Sequence, residues 1–97
     1  MPTYLCLYSF TDQGMRNIDD TTKRADAFKA LAESKGCKVR EVFWTLGPYD
    51  MATICDVPDD ATATAMVLAL SKAGNVRTLT LRAFSKSEMD NILAKVG

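Results

Sequence analysis

"TYLCLYSF", residues 3–10, carries apolar side chains on both alternating sets, Leu5 and Leu7 on one and Tyr4, Cys6, Tyr8 and Phe10 on the other. A strand with one face in water should alternate apolar and polar residues. This one does not, so both of its faces need cover. A second segment, "VRTLTLRAF" (76–84), sets Leu79 and Leu81 against Thr78, Thr80 and Arg82. Matching leucines with leucines places Leu5, Leu7, Leu79 and Leu81 beneath the helices. Tyr4, Cys6, Tyr8 and Phe10 then point away from them, on the side of Thr78, Thr80 and Arg82. A row of aromatics on an open sheet face marks an interface. The expectation is that two sheets pack face to face as an eight-stranded, two-chain barrel, which side chains fill or which holds one small ligand. The competing arrangement has the C-terminal helix covering that face alone.

Two more strands, "KVREVFWTL" (38–46) and "DMATICDV" (50–57), flank a Gly-Pro turn. "TDQG" (11–14) reads as a turn after the first strand. A helix follows Asp19 and Asp20, shows Ala25, Phe28, Leu31 and Ala32 on one face, and stops at Gly36. A second follows Asp59 and Asp60 and ends at Gly74. A third opens with the capping box Ser85 to Glu88 and carries Met89, Ile92, Leu93 and Val96 as a stripe. Both Asp pairs precede helices, where carboxylates meet unpaired N–H groups, so they read as caps rather than metal ligands. The order is strand, helix, strand, strand, helix, strand, helix. That is an α+β, ferredoxin-like βαββαβ chain with an extra C-terminal helix and a four-stranded antiparallel sheet. Right-handed crossovers put the first two helices on one face.

The 97 residues make one domain, 1–97, whose small core gives modest stability alone. Twelve Lys and Arg balance twelve Asp and Glu without blocks of either sign, which argues against nucleic acid and anionic membrane as partners. No stretch approaches a membrane span, and the start lacks a basic leader, so a cytoplasmic location is expected. Cys6, Cys37 and Cys55 form neither a disulfide framework nor a zinc pattern. Cys6 and Cys55 fit buried strand positions, whereas Cys37 beside Gly36 is expected to be exposed. Histidine is absent, which removes the commonest general base and every Ser-His or Cys-His nucleophile. Scattered glycines form no phosphate-cradling loop. Neither a metal nor a cofactor is indicated.

The turn "LGPYD" (46–50) has two readings. In the structural one Gly47 and Pro48 open a tight turn, Asp50 accepts a hydrogen bond from a turn N–H, and Tyr49 is a half-buried prop. In the functional one Tyr49, Asp50 and the indole of Trp44 orient a small polar molecule at a barrel mouth. Tyr4, Tyr8 and Arg82 would face the same space; Arg77, an odd number of residues away from Arg82, lies on the opposite face.

"TDQG" (11–14), "FWTLGPYD" (43–50), "VPDD" (57–60) and "GNVRTLTLRAF" (74–84), in this order and spacing, resemble the GYD-domain family. Gly47, Tyr49 and Asp50 match the residues that name it. The resemblance spans nearly the whole chain and implies a small protein of the dimeric α/β-barrel superfamily, but no reaction. The same hairpin is similar to the ligand-sensing domain of the leucine-responsive regulators, which bind amino acids at subunit contacts. No DNA-reading helix-turn-helix accompanies it here.

Three functions follow as expectations. The first is a homodimeric or larger module binding a small organic acid or amino acid through Trp44, Gly47, Tyr49, Asp50, Tyr4, Tyr8 and Arg82. The second is a cofactor-free monooxygenase or isomerase using tyrosine, aspartate or arginine for acid–base work. The third is an interaction domain whose inter-sheet space is packed and takes no ligand.

Overall fold

A computed structural model describes residues 1–97. Strand β1 (Thr3–Phe10) is flanked by β3 (Met51–Asp56) and β4 (Val76–Ala83), with β2 (Lys38–Trp44) beyond β3. The order β2-β3-β1-β4 is antiparallel throughout, the expected ferredoxin-like topology. Helices α2 (Thr21–Ser34) and α3 (Asp60–Ala73) form the crossovers, and α4 (Lys86–Leu93) follows β4.

The helix ends lie close to where the local signals put them. Gly36 takes φ of 80°, its N–H donates to Glu33 O, and Cys37 N–H donates to Ala32 O. Those two bonds close α2 as a Schellman motif. Asp59 accepts from Thr62 N–H at 2.7 Å, and Gly74 ends α3 in the left-handed region. Ser85 and Glu88 bond reciprocally at the start of α4. Asp20 occupies the cap position of α2, yet its side chain makes no capping bond.

"TDQG" corrects the sequence expectation. It is a short helix, α1 (Asp12–Arg16), followed by a 3-10 turn at Ile18–Asp20. Thr11 accepts from Gly14 N–H and donates to Gly74 O, while Gln13 donates to Ala73 O and Asn75 Oδ1. Both partners lie some sixty residues away, so no local pattern reveals the clasp. A β-carbon on Gly14 would sit 2.1 Å from Asn75 O, which explains why glycine stands there.

The larger correction concerns the sheet. Tyr4, Cys6 and Tyr8 are buried together with Ala32, Cys55, Ala63 and Met66, beneath the helices rather than away from them. Leu79 and Leu81 are 45% and 43% exposed on the uncovered face. The physical reason lies in the hydroxyls, because a buried tyrosine needs a partner for its O–H. Tyr8 shares a 2.8 Å bond with the fully buried Thr53 Oγ1, and Tyr4 donates to Asp60 on α3. Tyr8 also meets the edge of Phe28 on α2, with ring centroids 6.5 Å apart. Leucine has no such need and goes to the other face.

Cys37, expected to be exposed, is buried where α2 turns into β2; Cys6 and Cys55 are buried as expected. The C-terminal helix does not close the open face. Its Met89 and Leu93, and Val96 in the turn beyond it, remain 47–78% exposed. The radius of gyration, 14.6 Å, exceeds the roughly 13 Å of a compact chain this long.

Candidate functional site

The hairpin between β2 and β3 is closed from both sides. Thr45 N–H donates to Asp50 O at 2.9 Å and Thr45 Oγ1 donates to Tyr49 O at 2.5 Å. Gly47, at φ of 119° with open space around it, is required by backbone conformation alone. Leu46 stands fully exposed at the tip, and Tyr49 is half-buried. Asp50 does not bond within the turn. Its N–H donates to Tyr8 O and its carboxylate accepts from Phe10 N–H, both at 2.8 Å. The carboxylate thus extends the β1–β3 ladder beyond the first residue of β3, Met51, and pins the hairpin to the end of β1. Trp44 donates from its indole nitrogen to Thr21 Oγ1 at 3.0 Å, tying β2 to the first turn of α2.

The expected site residues therefore divide. Trp44, Gly47, Tyr49 and Asp50 stand together at one end of the sheet. Tyr8 lies on the helix-covered face, and Tyr4 and Arg82 pair across strands at the other end of β1. Arg82 is engaged there: it donates to Thr3 O and Ala83 O, lies 3.8 Å from Glu88, and stacks over Tyr4 and Phe84. Tyr4, Tyr8 and Arg82 do not face the uncovered side of the sheet, which corrects their expected orientation.

Electrostatics supports structural roles for the phenols. The hydrogen bond to the Asp60 carboxylate, with burial, raises the Tyr4 phenol above its ordinary value. Burial dominates at Tyr8 and pushes it much further up. Beside it, the Cys55 thiol donates to Thr53 Oγ1 at 3.6 Å and is pushed up to about 11 by burial. Cys37 is likewise raised by burial. These groups stay protonated near neutrality, so none supplies a general base or a thiolate there. No cluster of three or more Cys, Asp or Glu converges in the fold.

Sequence reasoning expected an uncovered apolar face but gave it the wrong residues. Leu5, Leu7, Ile54, Leu79 and Leu81 run across three strands of it, joined by half-exposed Phe43 on β2. Phe43 faces this way because a register shift between Val39 and Glu41 resets the alternation of β2. Without the shift, Glu41 and Phe43 would point at the helices. Lys38, Glu41, Asp56 and Arg77 ring the apolar centre. The signal available in the sequence was the doubly apolar β1; what it lacked was the direction of each set.

Similarity to known proteins agrees with the fold. The GYD domain matches residues 4–93. A curated protein of Thermus thermophilus, named "Glutamine synthetase and cystathionine beta-lyase binding protein", is 30% identical over 90 residues, covering 92% of this chain and 95% of that protein. No helix is long and apolar enough to cross a membrane.

Proposed function

This chain belongs to the GYD-domain family, and we propose that it is a self-associating protein-binding module whose partner is a metabolic enzyme. The observation that carries the proposal is the uncovered leucine face. Leu79 and Leu81 keep 45% and 43% of their surface in water on a sheet whose opposite face already carries two helices. An apolar patch with a polar rim is the signature of an interface.

The strand order suits a second copy as its cover. The order β2-β3-β1-β4 places Glu41 on one edge strand and Arg77 on the other. With a two-fold axis along the strands, the β2 edge of each copy lies over the β4 edge of its partner, and the apolar centres of the two faces meet. The pair forms an eight-stranded barrel filled by leucines. The hairpin residues serve as fasteners in this reading, because Asp50 and Trp44 spend hydrogen-bonding groups on Phe10 and Thr21.

Enzyme binding is supported by the relative's name and by α4, whose exposed Met89 and Leu93, with Val96 just beyond the helix, are left for a further partner. The test uses purified glutamine synthetase and cystathionine β-lyase from the organism encoding the chain. Retention of either enzyme by the immobilised protein, lost in Met89→Ser/Leu93→Ser, is the expected result. Failure of both enzymes to bind over a micromolar range removes the adaptor role.

A further inference from the structure

We infer that the cleft between α2 and α3 is a binding site for a small amphiphilic carboxylate, an organic anion with an apolar body of about ten heavy atoms in all. The cleft lies on the helix face of the sheet, opposite the leucine patch and apart from the hairpin tip.

Its size and walls set the body of the ligand. The two helices leave a space of about 250 Å³ over the sheet. A cavity of about 150 Å³ holds a benzene, so by proportion this one takes roughly ten heavy atoms. Phe28 and Leu31 come from α2, Leu70 from α3, and Val42, Met51 and Val76 from the strands. Such a lining offers dispersion contacts and no reason to retain water. The floor carries the Tyr8 and Thr53 hydroxyls, but these satisfy each other at 2.8 Å, so they demand no polar atom from a ligand.

Its charge sets the head group. Arg24 is the one charged residue in the lining, and it forms no ion pair with any carboxylate. Two of its N–H groups are held by Asn17 O at 2.6 Å and Gly14 O at 3.3 Å, and the guanidinium lies 5.9 Å from the centre of the Phe10 ring. A guanidinium has five donors in a fixed fork, so N–H groups remain to meet a carboxylate. Thr21 and Asn75 add polar atoms to the lining. A cationic ligand would meet repulsion at the only charge present. A helix from a second copy, about 10 Å across, is too large for the space.

The experiment measures binding of octanoate, octanol and octylamine to the full chain by titration calorimetry, with methyl chemical shifts locating the site. Octanoate should bind about tenfold more tightly than octanol, the equivalent of one charge-assisted contact, and octylamine more weakly than either. Arg24→Gln should erase the octanoate advantage and leave octanol unchanged. Ala69→Phe, or Ala25→Leu from the opposite wall, should fill the cleft and abolish both, with circular dichroism showing which variant is folded. Shifts should concentrate at Leu70 and Val76. Absent octanoate binding, an octanoate advantage that persists in Arg24→Gln, or shifts centred on Leu79 and Leu81 would each overturn the inference. Octanoate that dissociates the oligomer would also overturn it, by assigning the space to the partner copy. Sedimentation of the same samples without ligand reads self-association independently.

Discussion

Replacing Leu79 and Leu81 together by serine should abolish the proposed dimer without unfolding the chain. The two side chains retain 45% and 43% of their exposure in one copy. Full burial of a leucine contributes about 1.5–3 kcal/mol, so closing the face over the remaining surface contributes roughly 0.6–1.3 kcal/mol for each. A symmetric pair brings four such leucines together, which amounts to roughly 3–5 kcal/mol. At 1.4 kcal/mol per tenfold, the double variant should raise the dissociation constant by about two to four decades. Sedimentation velocity across a dilution series reads that change directly. Thermal unfolding of the monomeric variant serves as the control, because these positions lie outside the buried core. A wild-type chain that stays monomeric at tens of micromolar refutes the reasoning. So does a folded double variant whose dissociation constant is unaltered.

Other perturbations test the remaining contacts. Asp50→Ala leaves Phe10 N–H without its charged acceptor and should cost about 1.5–3 kcal/mol in urea unfolding, with Asp50→Asn costing less because an amide oxygen still accepts. Gly14→Ala forces a β-carbon to within 2.1 Å of a backbone oxygen and should destabilise by about 1–3 kcal/mol, through loss of the α1 clasp; a thermal midpoint equal to wild type would remove that clasp from the fold's energetics. Acid should uncouple the α3 cap. The Thr62 N–H holds the Asp59 carboxyl below its ordinary value, so the stability it adds is complete above the unfolded value near pH 4 and disappears as pH falls through the lower folded value. Asp59→Asn, which caps without titrating, should therefore narrow its stability gap to wild type on acidification, and a pH-independent gap would contradict the assignment.

Much of the architecture was legible because its signals are local. Gly36, Gly74 and the Ser85–Glu88 box mark helix ends through bonds spanning a few residues, and the Gly-Pro turn joins adjacent strands. The candidate site was harder to read. Asp50 stands where an acid in a turn would stand, yet its carboxylate serves a strand forty residues earlier. Trp44 could be placed at the hairpin, but its partner Thr21 opens a helix on another part of the chain. Arg82 was paired with Tyr4 on the right face of β4, but that face is the one under the helices.

Alternation along β1 required two apolar faces, and the ferredoxin-like order follows from the succession of periodic segments and their caps. Periodicity gives relative orientation within a strand and carries no information about which side the helices take. That choice was made by long-range partners: Thr53 and Asp60 for the tyrosine hydroxyls, and a bulge at Arg40 that keeps Val42 and Trp44 on the helix side. A phenol is buried where its O–H is satisfied, and a leucine can wait for a second molecule.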